Sequence, residues 1–154
     1  CYSYPMRTIQ RDIAGALLFS NDGRVLIGKN VKGGVYEDLW VVPGGGIDEG
    51  ETKEDAVKRE ILEEVGIDIS DAVIEPVDLP QTGTAEKTLR DTGERVLVAM
   101  TFYNFTVKFD KPAQEIPIIL EDDFGHAEWV AIEKLSELSY SPSVKNLLKS
   151  LELI

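Results

Sequence analysis

The segment Gly45-Gly46-Ile47-Asp48-Glu49-Gly50-Glu51-Thr52-Lys53-Glu54-Asp55-Ala56-Val57-Lys58-Arg59-Glu60-Ile61-Leu62-Glu63-Glu64-Val65-Gly66-Ile67 decides how the chain is read. Glycines deliver the backbone into a stretch whose apolar period is helical. At 100° per residue from Glu60, Val57, Ile61, Val65 and Leu62 fall between about 60° and 200°, an apolar face. Glu60, Glu63 and Glu64 fall between about −60° and 40°, together on the neighbouring face. Thr52, with Asp55 three residues on, predicts the N-cap, and Gly66 the C-terminal stop. Three carboxylates so close repel one another and weaken a helix unless something neutralises them. A hard divalent cation such as Mg2+ or Mn2+ prefers oxygen ligands and meets that need. Glycines beside it let a backbone carbonyl approach the ion with no side chain in the way.

Working outward, Ile13 to Phe19 reads as a buried strand ended by the turn Ser20-Asn21-Asp22-Gly23. Arg24 to Lys29 is a second strand, so the two predict a hairpin. Leu39 to Val42 is a short apolar segment, after which Pro43 and three glycines are expected to end regular structure. Ala72 to Leu79 is strand-like, and Pro80 to Gly93 reads as a long polar connection or a loosely paired hairpin tip. Glu94 to Val107 is rich in Val, Thr, Phe and Tyr and is the longest strand candidate. His126 to Ile132 predicts a late strand, and Ser141 to Leu151 a terminal amphipathic helix. Strands interleaved with two helices imply an α/β (α+β) sandwich, with residues 6–154 as one domain. Cys1 to Pro5, ahead of Met6, are read as an N-terminal extension or a cloning remnant.

The 154 residues are enough for one domain with a real core. Asp and Glu total 28 against 16 Lys and Arg, a formal net charge of −12. Such an acidic surface repels phosphate backbones, so a broad nucleic-acid-binding role is disfavoured. No apolar run approaches the roughly 18–20 residues that cross a bilayer, and no secretory leader is visible, so a cytoplasmic location without membrane partners is expected. A single cysteine, Cys1, and a single histidine, His126, exclude a Cys/His zinc site built by this chain alone.

The order Gly45, five residues, Glu51, seven residues, Arg59-Glu60-Ile61, one residue, Glu63-Glu64, one residue, Gly66-Ile67 matches every specified position of the Nudix box. The chain therefore resembles the Nudix hydrolases, which cleave nucleoside diphosphates linked to another group. Leu39-Trp40-Val41-Val42-Pro43-Gly44 looks like the family's lead-in, and Trp129 with Glu133-Lys134-Leu135 its closing strand and loop. On a generic helix three glutamates are a solvated stripe; the glycine-rich entry, the box spacing and the Arg59-Glu60 doublet reverse that reading. The resemblance implies a Nudix-type sandwich, a mixed β-sheet packed between helices. It further implies that Glu60, Glu63 and Glu64 bind the Mg2+ or Mn2+, with the Gly45 carbonyl as a further ligand, and that Arg59 pairs with Glu51 to fix the loop against the helix. Water attack on phosphorus would follow, the metal polarising the phosphoryl oxygens and acidifying the water. The fourth carboxylate and general base is expected to be Asp123, in the triplet Glu121-Asp122-Asp123, with Glu115 an outsider. His126 is expected to be structural rather than catalytic.

Candidate substrate-binding residues are Arg24 and Lys29 on the second strand, Tyr36 in the polar loop, and Arg90 in the long connection. Trp40 is expected to be core, although it could stack a base. Among substrates, a standard or modified nucleoside triphosphate comes first, cleaved as a pyrophosphohydrolase. An ADP-ribose or nucleotide-sugar hydrolase is the alternative, since Pro80 lies near but not at the position resembling the ADP-ribose members. A catalytically silent nucleotide sensor is the non-enzyme alternative, opposed by an intact set of box carboxylates. Isoprenoid diphosphate isomerase chemistry needs an active-site cysteine, which Cys1 supplies poorly. Many family members pair as homodimers, which leaves a homodimer open here.

Overall fold

The computed structural model describes residues 6–30, 38–121 and 124–154. Among the described residues seven strands are joined in one mixed sheet with two α-helices: β1 (Arg7–Phe19), β2 (Arg24–Asn30), β3 (Gly44–Gly46), α1 (Lys53–Val65), β4 (Val73–Pro76), β5 (Gln81–Thr88), β6 (Arg95–Lys108), β7 (Phe124–Ala131) and α2 (Pro142–Ser150). The main order is β4-β6-β1-β2-β7, with β3 paired to β1 and β5 to β6. The axis of the sheet is the parallel pairing of β1 with β6, from Arg7 opposite Val96 to Phe19 opposite Lys108.

β1 and β2 form the expected hairpin, with Gly23 at φ 78° where a side chain would be strained. β1 begins six residues earlier than the apolar run, because backbone pairing with β6 carries the polar stretch Arg7–Asp12 into the sheet. Two expectations are corrected. Gly44–Gly46 do not end regular structure: they are strand β3, antiparallel to Ile13–Gly15. Residues 81–88 are neither a long connection nor a loosely paired hairpin tip but a full edge strand, the first arm of a hairpin paired along its length with β6.

α1 starts at Thr52, whose hydroxyl accepts a hydrogen bond from the Asp55 N–H at 3.1 Å, and stops at Gly66 in the left-handed region at φ 66°. Ala56, Val57, Ile61 and Val65 are buried. Leu62, at the rim of the apolar arc, is instead 53% exposed. Beyond α1, the N–H groups of Ile119 and Glu121 donate to the carbonyls of Val65 and Glu64, so the 117–121 segment is laced to the end of the helix.

The two helices lie on opposite faces of the sheet. Gly45, opposite Ala14 on β1, points at Glu60 of α1. Phe102 is displaced by an odd number of residues from Tyr103, the partner of Ala14, and so points the other way. Gln81, opposite Phe102, donates from Nε2 to the Ser143 carbonyl of α2 and accepts from Asn146 Nδ2. Side chains buried between these layers, Leu17, Leu18, Leu26, Ile27, Val57, Ile61, Leu135 and Leu148 among them, form one contiguous core. Among the described residues no helix is long and apolar enough to cross a membrane.

Candidate active site

β2 pairs with β1 only at its first turn, and β3 takes the place beside Ile13–Gly15. Where the two diverge, a cleft of about 380 Å³ opens, lined by Asn30, Gly44, Gly45, Gly46, Glu60, Glu63 and Glu64. The cleft thus gathers the three helix glutamates and the glycines that precede them.

The glycines are there for space. A Cβ on Gly45 would lie 2.3–2.7 Å from the Glu60 carboxyl group, and one on Gly46 would coincide with the guanidinium of Arg11. Without side chains, β3 lets α1 settle its carboxylates against the strand backbone. The Gly44 N–H donates to Glu64 Oε1 at 2.7 Å, a charge-assisted bond that orients this carboxylate into the cleft.

Arg59 ties the assembly together. Its Nε and Nη2 donate to the two Glu51 oxygens at 2.8 Å each, its Nη1 to Glu60 Oε1 at 2.8 Å and Glu63 Oε2 at 3.3 Å, and its Nη2 also to the Gly46 carbonyl at 2.9 Å. Asp48 adds an ion pair at 3.3 Å. Glu51 accepts further from the Asp48 N–H. One planar cation therefore joins β3, the 47–52 loop and α1, a task matched to a guanidinium fork. The Arg59 hydrogen bonds and the Asp48 N–H hold the Glu51 carboxyl down to about 2. Glu60 moves the opposite way: burial raises its pKa, against the pull of Arg59. A half-buried carboxylate that resists ionisation is one that an added positive charge would relieve.

The other candidates are placed as follows. Arg24 sits at the far end of β2 from Asn30, roughly 20 Å along the strand, beside Asp22. Arg90 is also distant from the cleft. It lies in the β5–β6 turn, and from Arg95 to Phe102, level with Ile13 and Gly46, β6 rises roughly 24 Å. Strand direction carries both away from the cleft. Lys29 adjoins Asn30, but its Nζ stands 4.9 Å from the centroid of Trp40. Trp40 is half-buried, packed on the core and edge-on to His126, whose Nε2 lies 2.8 Å from Glu128. Tyr36 and Asp123 fall outside the described residues. Arg11 was missed. It stands two residues before the apolar run, and nothing in a polar strand end announces that its guanidinium fills the space above Gly46.

The chain matches the NUDIX domain model over residues 9–151. It is 31% identical over 127 residues to an RNA pyrophosphohydrolase of Wolbachia sp. subsp. Brugia malayi, covering 81% of this chain and 77% of that one. It is 30% identical over 132 residues to the nucleoside triphosphatase NudI of Salmonella heidelberg, with 85% and 89% covered. Another RNA pyrophosphohydrolase, from Wolbachia pipientis subsp. Culex pipiens, is 44% identical over 63 residues, only 37% of its length. Among solved structures, the E. coli dihydroneopterin triphosphate pyrophosphohydrolase superposes with a TM-score of 0.67 at 20% identity, covering 90% of this chain and 92% of that one. RenU of M. Smegmatis gives 0.64 at 20% identity, with 95% and 89% covered; both likenesses speak to the fold. With a family model spanning nearly the whole chain, the box glutamates in one cleft and this sandwich around them, the protein belongs to the Nudix hydrolase family, enzymes that act on phosphoric anhydride bonds.

Proposed function

We propose that this chain is a Mg2+- or Mn2+-dependent pyrophosphohydrolase of nucleoside triphosphates, standard or modified, releasing a nucleoside monophosphate and pyrophosphate. The observation that carries the reading is the gathering of Glu60, Glu63 and Glu64 against the Gly44–Gly46 backbone in one cleft. Names of relatives support the triphosphate: one is a nucleoside triphosphatase. Other relatives are RNA pyrophosphohydrolases, but a chain with a net charge of −12 is poorly suited to hold a polyanion beyond its reacting end, which favours a free nucleotide.

Nudix hydrolases in general use divalent metal ions. The donor set here fits such an ion in kind: carboxylate oxygens and a strand carbonyl, all hard ligands, with a glycine cradle at Gly45 that a Cβ would fill. Among the described residues no three carboxylates already converge as a cage; Arg59 holds Glu60 and Glu63 and the Gly44 N–H holds Glu64. Glu60, Glu63, Glu64 and the Gly45 carbonyl would hold Mg2+ or Mn2+. Bound there, the ion supplies charge neutralisation at the phosphoryl oxygens and lowers the pKa of water.

The chain's own residues do the rest. Arg59 is a positioning residue, keeping loop and helix in register through Glu51. The Gly44 N–H aims Glu64. Asp123 is the proposed general base, taking a proton from the attacking water as the phosphorus–oxygen bond to the leaving pyrophosphate breaks. Lys29 and Tyr36 are the retained candidates for substrate contact.

The experiment is hydrolysis of a nucleoside triphosphate panel with product identification, with EDTA and then with Mg2+ or Mn2+ restored. Monophosphate and pyrophosphate should appear only with the metal. Turnover in EDTA, or release of orthophosphate instead, would overturn the reading.

A further inference from the structure

Ser20, Asn104 and Ser141 are the buried polar residues among those described, and Asn104 is only 7% exposed. Its backbone is engaged, the carbonyl accepting from the Val77 N–H at 2.9 Å. Its side-chain amide has no hydrogen-bond partner among the described residues. No buried side-chain nitrogen or oxygen among those residues is both sealed from solvent and unpartnered. The Asn104 amide therefore looks out through a narrow opening. A carboxamide that lines a core and bonds to nothing is costly for stability alone, and such groups ask for a role.

Its surroundings say what the opening faces. Asn104 is opposite Gly15, and a Cβ there would lie 3.0 Å from Asn104 Oδ1, with the Pro43 carbonyl and Val42 Cγ2 at 3.4 and 3.5 Å. The missing side chain at Gly15 keeps the amide uncovered. Two residues back on the same face is Phe102, half-buried, with Gly83 beside its ring at contact distance. Gln81, opposite Phe102, bonds to Ser143 and Asn146 of α2, and the Val42–Pro43 lead-in to β3 adjoins Gly15. Asn104, Gly15 and Gly44 share one line across β6, β1 and β3, so the amide is about 10 Å from the strand that orients Glu64, two strand spacings away.

We infer that Asn104 is a specificity-determining residue, its amide hydrogen-bonding the edge of the substrate's nucleobase beside Phe102. A carboxamide carries a donor and an acceptor side by side, which matches the paired donors and acceptors of a base edge. The Phe102 ring beside it offers an apolar surface to a heterocycle. A phosphate needs neither. This rests on the nucleotide reading of the preceding section, and names which part of the substrate the α2 face takes.

Two measurements test it. In the first, kcat/KM is determined with Mg2+ for the four nucleoside triphosphates in the wild type and in Asn104→Leu, folding being checked by circular dichroism. The ratio between the best and worst base should shrink about tenfold or more in the variant; a ratio that survives overturns the inference. The second needs neither turnover nor a variant. The Asn104 side-chain amide resonances of the 15N-labelled wild type are followed, without metal, against each nucleoside monophosphate and inorganic pyrophosphate. Displacement by at least one monophosphate and not by pyrophosphate supports the assignment. Displacement by none, or equally by pyrophosphate, overturns it. If the wild type cleaves no triphosphate, the reading of the reaction falls, and the titration alone decides Asn104; it does so too if Asn104→Leu unfolds.

Discussion

Arg59 grips Glu51 through Nε and Nη2, 2.8 Å to each carboxylate oxygen, across the seven residues that separate them in the box. Among the described residues this is the only Arg59 contact in which both carboxylate oxygens are engaged, and with the Asp48 N–H it holds the Glu51 carboxyl down to about 2. A carboxylate whose pKa is lower folded than unfolded adds stability above its ordinary value, lost as pH falls through the folded one. Wild type should therefore lose stability from this pair between about pH 4.5 and about pH 2. Glu51→Gln should be less stable at neutral pH, with a melting temperature lower by about 4 °C, and should show a shallower acid limb in denaturant midpoints. Equal acid limbs would refute the claim.

Glu64→Gln keeps an acceptor for the Gly44 N–H but removes the charge. Far-UV circular dichroism should be unchanged, while turnover drops by on the order of a hundredfold or more. A variant that turns over at close to the wild-type rate would remove Glu64 from the reaction.

Gly45→Ala places a methyl group where the Glu60 carboxylate now lies. The helix must back away from β3 or Glu60 must swing out. We expect the melting temperature to fall by about 5 °C and turnover to fall at least about tenfold. Calorimetry and initial rates check both, and unaltered values would mean the close approach has no consequence.

Tyr140 donates its hydroxyl to the Leu135 carbonyl, and burial pushes its pKa up to about 12. The folded protein keeps this proton where the unfolded chain gives it up, so stability is complete below about pH 10 and declines as pH climbs to about 12. Tyr140→Phe should lose about 1 kcal/mol at neutral pH with the hydrogen bond. In return it should show less of the alkaline decline, measured by urea midpoints at pH 8, 10 and 11. A variant that declines as steeply as wild type would mean the phenol does not titrate with unfolding.

What the sequence made legible is what local chemistry determines. Thr52 and Gly66 bracket α1 because capping is a matter of a few adjacent residues, and the β1–β2 turn is spelled out by Asn21-Asp22-Gly23. Box spacing brought Glu51, Arg59 and the three helix glutamates to one place. β3 was hidden because a triple glycine has no strand propensity of its own; the free edge of β1 and the room needed by Glu60 and Arg11 make it a strand. β5 was hidden because its outward residues, Thr82, Thr84 and Glu86, are as polar as a loop, while Gly83 is too small to mark the inner face. The parallel β1–β6 pairing joins residues nearly ninety positions apart, and no window of sequence contains it. That pairing is also what sets Asn104 opposite Gly15 and sends Arg90 away from the cleft.

The lacing of Ile119 and Glu121 onto the final carbonyls of α1 has an architectural corollary. Two anchors separated by a single residue leave no slack, so an insertion between them must tear one loose, and with it the end of the helix that bears Glu64. Grafts and length changes aimed at altering what this enzyme accepts should leave residues 117–121 intact, and so spare the seam that keeps the acidic turn in place.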